Sequence, residues 1–89
     1  MIPVPMLQDE IIGIEEAAHR ARSSTKTIRR WCKRDGIGRQ SRLGAPLQIS
    51  AVALEMRMCG DDAALELLRQ NQRSHPMVLL YLDRVGVMP

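Results

Sequence analysis

The chain has no phenylalanine, one tryptophan and one tyrosine, so the aromatic platforms on which single-strand readers stack bases are missing. It has two cysteines, Cys32 and Cys59, too few for a disulfide framework. With His19 and His75 they form no pair at ligand spacing, so no metal is expected, and a reducing cytoplasm is the simpler setting. No run of about 18 apolar residues occurs, which excludes a membrane-spanning helix. The opening MIPVPMLQDEIIG lacks a basic n-region and a small-residue cleavage site, so no signal peptide is expected. No Ser/His/Asp set, phosphate loop or carboxylate dyad is evident, and Tyr81 lies among Val78, Leu79, Leu80 and Leu82 without activating groups. An enzyme and a cofactor are therefore not expected.

What is present is basic charge, and it is segregated. With 89 residues the chain suits one domain with a modest core. The net charge is only +3, yet nine of the thirteen basic residues lie between Arg20 and Arg42 with a single acid, Asp35. That window carries +8 and the remainder −5. A solvated helix face usually alternates its signs to make i,i+4 pairs. This one does not, and such a concentration attracts a polyanion.

Residues 1–11 read as an extended arm, either disordered or docked on a neighbouring subunit, because Pro3 and Pro5 forbid a helix. Ile14, Ala17, Ala18 and Ala21 then fall at helical spacing on one narrow stripe. Ser24 is a good N-cap for a second helix ending near Asp35, with Gly36 as its stop. On that helix Ile28, Trp31, Cys32 and Asp35 point one way, and Lys26, Arg29, Arg30 and Lys33 the other. Between Ile37 and Ser50 the helical period vanishes. The arms 39–42 and 47–49 around Leu43-Gly44-Ala45-Pro46 predict a β-hairpin with a basic first arm, anchored by Leu47 and Ile49. Further helices are expected from Ala51 to Cys59, after Asp61 or Asp62, and from Met77 to Val85. Met56, Met58 and Met77 read as core. The last helix is apolar nearly all round, which suits a partner surface made by Met77, Val78, Leu79, Leu80, Tyr81 and Leu82.

Two helices joined by a tight turn, the second cationic outside, predict a helix-turn-helix. The major groove of B-DNA admits one helix, whose N-terminal half reaches base edges. Thr25, Lys26, Thr27, Arg29 and Arg30 stand there, while Lys33 and Arg34 suit phosphates and Arg39 and Arg42 the backbone or adjacent minor groove.

Ile14-Glu15-Glu16-Ala17-Ala18, Ser24-Thr25-Lys26-Thr27-Ile28-Arg29-Arg30-Trp31, Asp35-Gly36, the basic hairpin and Ile49-Ser50 resemble the excisionase family of MerR-like winged helix-turn-helix proteins. The resemblance covers residues 12–56 and leaves 57–89 as a helical extension that packs on the core or mediates oligomerisation. It implies a mainly α fold with a wing and a recognition helix carrying Ser24 through Thr27, Arg29, Arg30, Lys33 and Arg34. Wing contacts would come from Arg39, Gln40, Ser41 and Arg42, with Arg20 and Arg22 as further phosphate contacts. It also implies a bacterial, nucleoid-associated recombination directionality factor that bends attachment-site DNA, self-associates along it and biases an integrase towards excision. Two alternatives stand beside it: a transcriptional regulator on the same scaffold, and an oligomerising interaction module whose basic face binds an acidic protein.

Overall fold

The computed structural model describes residues 2–87; Met1, Met88 and Pro89, the outer ends of the expected arm and extension, lie outside the described residues. After a 3₁₀ turn at Gln8–Glu10, the elements run β1 (Ile11–Ile12), α1 (Ile14–Ala21), α2 (Thr25–Asp35), β2 (Gly38–Gln40), β3 (Leu47–Ser50), α3 (Ala51–Met58), α4 (Asp62–Arg69) and α5 (Pro76–Arg84). The fold is mainly helical, with one small antiparallel sheet, and measures 35 × 26 × 22 Å.

Local chemistry sets most boundaries. Ser24 Oγ accepts from Thr27 N–H at 3.1 Å, Ser50 Oγ from Ala53 N–H at 3.1 Å and Asp61 Oδ1 from Ala64 N–H at 3.0 Å. Each satisfies a helix-end donor that otherwise lacks a partner. His75 Nδ1 caps α5 through Met77 N–H at 3.1 Å, and Pro76 takes the first helical position. Gly36 ends α2 in the left-handed conformation at φ 69°, its N–H donating to Cys32 O.

The sheet has three strands, in the order β1-β3-β2, where the sequence pattern predicted a two-stranded hairpin. Ile11 pairs with Ser50 and Ile12 with Ile49 on one edge of β3; Gly38, Arg39 and Gln40 pair with Ile49, Gln48 and Leu47 on the other. A two-residue strand is too short to show an alternation, so β1 left no periodic signal. The first hairpin arm is also shorter than expected: Ser41 and Arg42 belong to the loop.

The N-terminal segment is not a free arm. Val4 is buried, its N–H donates to Gly36 O at 2.9 Å, and Glu10 is fully buried against Arg73. The extension likewise completes the core. Val78, Tyr81 and Leu82 are buried with Leu54, Met56, Leu65 and Leu68, so these three expected partner contacts face inward. Leu79 packs half-buried against that cluster, leaving Leu80 (65%) and Met77 (38%) exposed. Of the methionines read as core, Met56 is buried, while Met58 and Met77 lie outside. Ala17, Ile28, Cys32 and Ile49 are buried as expected; Ile14, Ala18, Ala21, Trp31 and Leu47 flank them half-buried. Trp31 is therefore a border residue, not a central one. No helix among the described residues is long and apolar enough to cross a membrane.

Candidate nucleic-acid interface

Helix α2 separates its two faces as its period requires. Ile28 and Cys32 are buried, whereas Lys26, Arg29, Arg30, Lys33 and Arg34 are exposed. Ser24 is engaged as the cap, its Oγ also 3.1 Å from Thr27 Oγ1, and Thr25 and Thr27 are half-buried in the first turn. A groove of about 710 Å³ separates α2 from the hairpin. Lys26, Arg29, Arg30 and Lys33 line one side, Arg39 and Gln40 the other. A second groove of about 530 Å³ runs between the start of α1 and the hairpin tip, and Arg29, Gln40 and Leu47 line both. Glu15 and Glu16 border this second groove, where the positive face stops.

The hairpin is internally tied. Arg39 Nε donates to Gln48 Oε1 at 3.0 Å, and Gln40 Nε2 donates to Ala45 O at 2.6 Å. Ser41 and Arg42 are exposed in its loop. Gly38 lets the strand lie against α2: a Cβ there would stand 2.6 Å from Cys32 Sγ. Burial pushes the Cys32 thiol up to about 11, partly opposed by the Arg29 charge, so it packs as a neutral apolar group.

The partnering of the cations decides the character of this face. Among the described residues, ion pairs join Arg20 to Glu16, Arg57 to Asp35, Arg69 to Glu66, Arg73 to Glu10 and Arg84 to Glu55. The eight remaining basic residues, Arg22, Lys26, Arg29, Arg30, Lys33, Arg34, Arg39 and Arg42, have no carboxylate partner among the described residues. All lie at the end of α1, on α2 or in the hairpin. The chain matches no family model, no curated protein and no solved structure. Arg20, expected as a phosphate contact, is exposed and pairs with Glu16 at 2.6 Å on the helix surface. Arg22 stays exposed, at a left-handed helix end with φ 52°. Among the described residues no cluster of three or more His, Cys, Asp or Glu side chains could hold a metal ion.

One feature of the site went unread in the sequence. Asp35, the lone acid of the basic window, anchors the far end of α2. Its Oδ2 accepts from Arg57 Nε at 3.0 Å, and its carbonyl accepts from Arg69 at 2.9 Å. The Arg57 guanidinium also lies 4.8 Å from the centre of the Trp31 ring, close enough for a cation–π contact. Helices α3 and α4 thus hold the cationic helix from behind. The signal was the exception itself: one carboxylate kept among nine cations.

Proposed function

We propose that this chain is a winged helix-turn-helix protein that binds double-stranded DNA. In this reading α2 is the recognition helix, the 38–50 hairpin is the wing, and the groove between them receives duplex backbone. The observation that carries the reading is the gathering of seven carboxylate-free cations on α2 and the hairpin, with an eighth, Arg22, at the end of α1, while five arginines elsewhere are paired. Three like-charge i,i+4 pairs stand on α2 (Lys26 with Arg30, Arg29 with Lys33, Arg30 with Arg34), each costing about 0.2–0.5 kcal/mol. A polyanion in the groove reverses that cost. An 11-residue helix is roughly 16 Å long and about 10–12 Å across, which matches a major groove about 12 Å wide.

The resemblance of residues 12–56 to excisionases makes a recombination directionality factor the specific form of this proposal, acting with an integrase at attachment-site DNA in the bacterial nucleoid. Cooperative loading of several copies would then draw on Leu80 and Met77, the two side chains of the last helix's expected contacts that remain exposed. Sedimentation of the protein with multi-site and single-site duplexes measures it.

Binding to duplex DNA that survives excess polyglutamate is the expected result, with a log–log salt slope of about −4 to −5 if about five phosphates are neutralised. Arg29→Ala or Arg30→Ala is expected to cost about 1–3 kcal/mol on a selected site if that residue reads a base. Equal losses on selected and random duplexes would reassign it to phosphate. Displacement by polyglutamate at matched charge would favour an acidic protein as the partner. In vitro excision with an integrase separates the recombination role from promoter regulation on the same face.

A further inference from the structure

Leu43 is the most exposed large apolar residue of the described chain, at 98%. It is also held in place. Ala45 N–H donates to Arg42 O at 3.1 Å, closing a four-residue turn, and Gly44 at φ 84° takes the position that a type II turn reserves for glycine. Leu43 is therefore the first corner of that turn. Gln40 fastens the same loop through Ala45 O at 2.6 Å, and Pro46 restrains its exit. Scattered apolar side chains on a surface are ordinary. This one differs because it caps a hydrogen-bonded tip with Arg42 beside it, Arg39 on the strand below and no carboxylate anywhere in residues 37–50. Glu15 and Glu16 line the groove on the α1 side of the tip, so the acid-free edge is the hairpin's own, and a basic edge around an apolar point matches the duplex. Minor-groove binders combine cations at the phosphates with an apolar wedge pushed between base steps.

We propose that Leu43 is such a wedge: the hairpin tip enters the minor groove beside the helix site, and Leu43 partly unstacks one base step, kinking the duplex there. The inference rests on the duplex-binding reading above and deepens it by naming a residue and a preferred substrate. Pyrimidine–purine steps unstack most easily, so the tip selects duplexes with T–A steps under the wing through their deformability, without reading base edges.

The test uses the full chain and two duplexes of about 30 base pairs, one with central T–A steps and one with G·C steps only. 2-Aminopurine beside the central step reports unstacking, and dyes at the two ends report bending. Wild-type protein is expected to raise the 2-aminopurine signal and shorten the end-to-end distance on the T–A duplex, and to bind it about ten-fold more tightly than the G·C duplex. Leu43→Ser is expected to abolish both signals and the ten-fold preference, leaving affinity for the G·C duplex and the salt slope unchanged. Leu43→Met is expected to restore them. Because Leu43 contributes nothing to the core, these variants fold. Duplex binding with no unstacking in the wild type, or with unstacking and bending kept in Leu43→Ser, overturns the wedge alone. Absence of binding to either duplex overturns the duplex-binding reading, and the wedge with it.

Discussion

At the scale of single residues, the informative positions are those whose chemistry conflicts with their surroundings. Glu10 is fully buried and answered by Arg73, 63 positions away; the Leu7 N–H also donates to its carboxylate at 3.3 Å. Glu10→Ala leaves half-buried Arg73 without its counter-charge, so it is expected to cost about 2–3 kcal/mol in denaturant unfolding, below the roughly 3–5 kcal/mol of a fully buried pair. A loss within 0.5 kcal/mol would mean that the pair is solvated. Cys32 poses the opposite case, a thiol kept neutral. Its pKa is raised to about 11 from an ordinary 9.0, so the folded chain holds a proton that the unfolded chain releases. The associated stability is complete below pH 9 and falls as pH climbs from 9 towards 11. Tyr81 acts in the same direction, raised by burial and by donating to Asp61 Oδ2 at 2.8 Å. Cys32→Ala is expected to flatten the alkaline decline, leaving the part due to Tyr81. In native protein near pH 8, a chromogenic disulfide reagent is expected to titrate exposed Cys59 quickly and Cys32 only on unfolding. Two fast thiols would contradict the packing of Cys32 beneath Gly38.

At the scale of elements, α2 combines good punctuation with poor self-compatibility. Ser24 and Gly36 set its ends, but its three like-charge pairs oppose it by roughly 1 kcal/mol in total. The Debye length falls from about 10 Å at 0.1 M salt to about 3 Å at 1 M, below the roughly 5–6 Å between i,i+4 neighbours, so sodium chloride raised towards 1 M is expected to raise the Tm of the free protein. About 1 kcal/mol corresponds to roughly 4–8 °C for a domain of this size. A falling Tm would mean that the paired arginines govern stability, not the free ones. This helix was also the most legible part of the chain, because caps, period and charge all agreed over eleven residues. The hairpin was legible at its turn and misjudged in length, since strand ends depend on pairing that a single sequence does not display. β1 and the burial of Val4 were illegible: two residues carry no period, and prolines that forbid a helix say nothing about docking. Leu43 was visible as the tip, but its isolation from the core required the three-dimensional arrangement.

At the scale of the molecule, the division of labour follows charge. One side of the fold leaves its cations free, and the other ties its arginines down while supplying hydrophobic mass. The family resemblance marked residues 12–56 as the DNA-binding core and left the last third either to pack on that core or to mediate oligomerisation. The core takes in the apolar faces of that third's two helices. Leu65, Leu68, Val78, Tyr81 and Leu82 are buried, and at about 1.5–3 kcal/mol for each fully buried side chain they contribute roughly 8–15 kcal/mol. Before the entropy cost of ordering them, that gross contribution is as large as the net stability of a typical domain, about 5–15 kcal/mol. Their removal would also expose Leu54 and Met56 and strip the Arg69 contact from the end of α2. A chain cut after Gly60 is therefore expected to give a coil-like circular dichroism spectrum and no cooperative thermal transition. With α2 unsupported, its duplex affinity is expected to fall to that of an unstructured basic peptide and to lose any preference among duplexes. If that fragment instead melts cooperatively and keeps its preference, helices α4 and α5 are dispensable to the fold, and their buried faces would have to serve something other than this core.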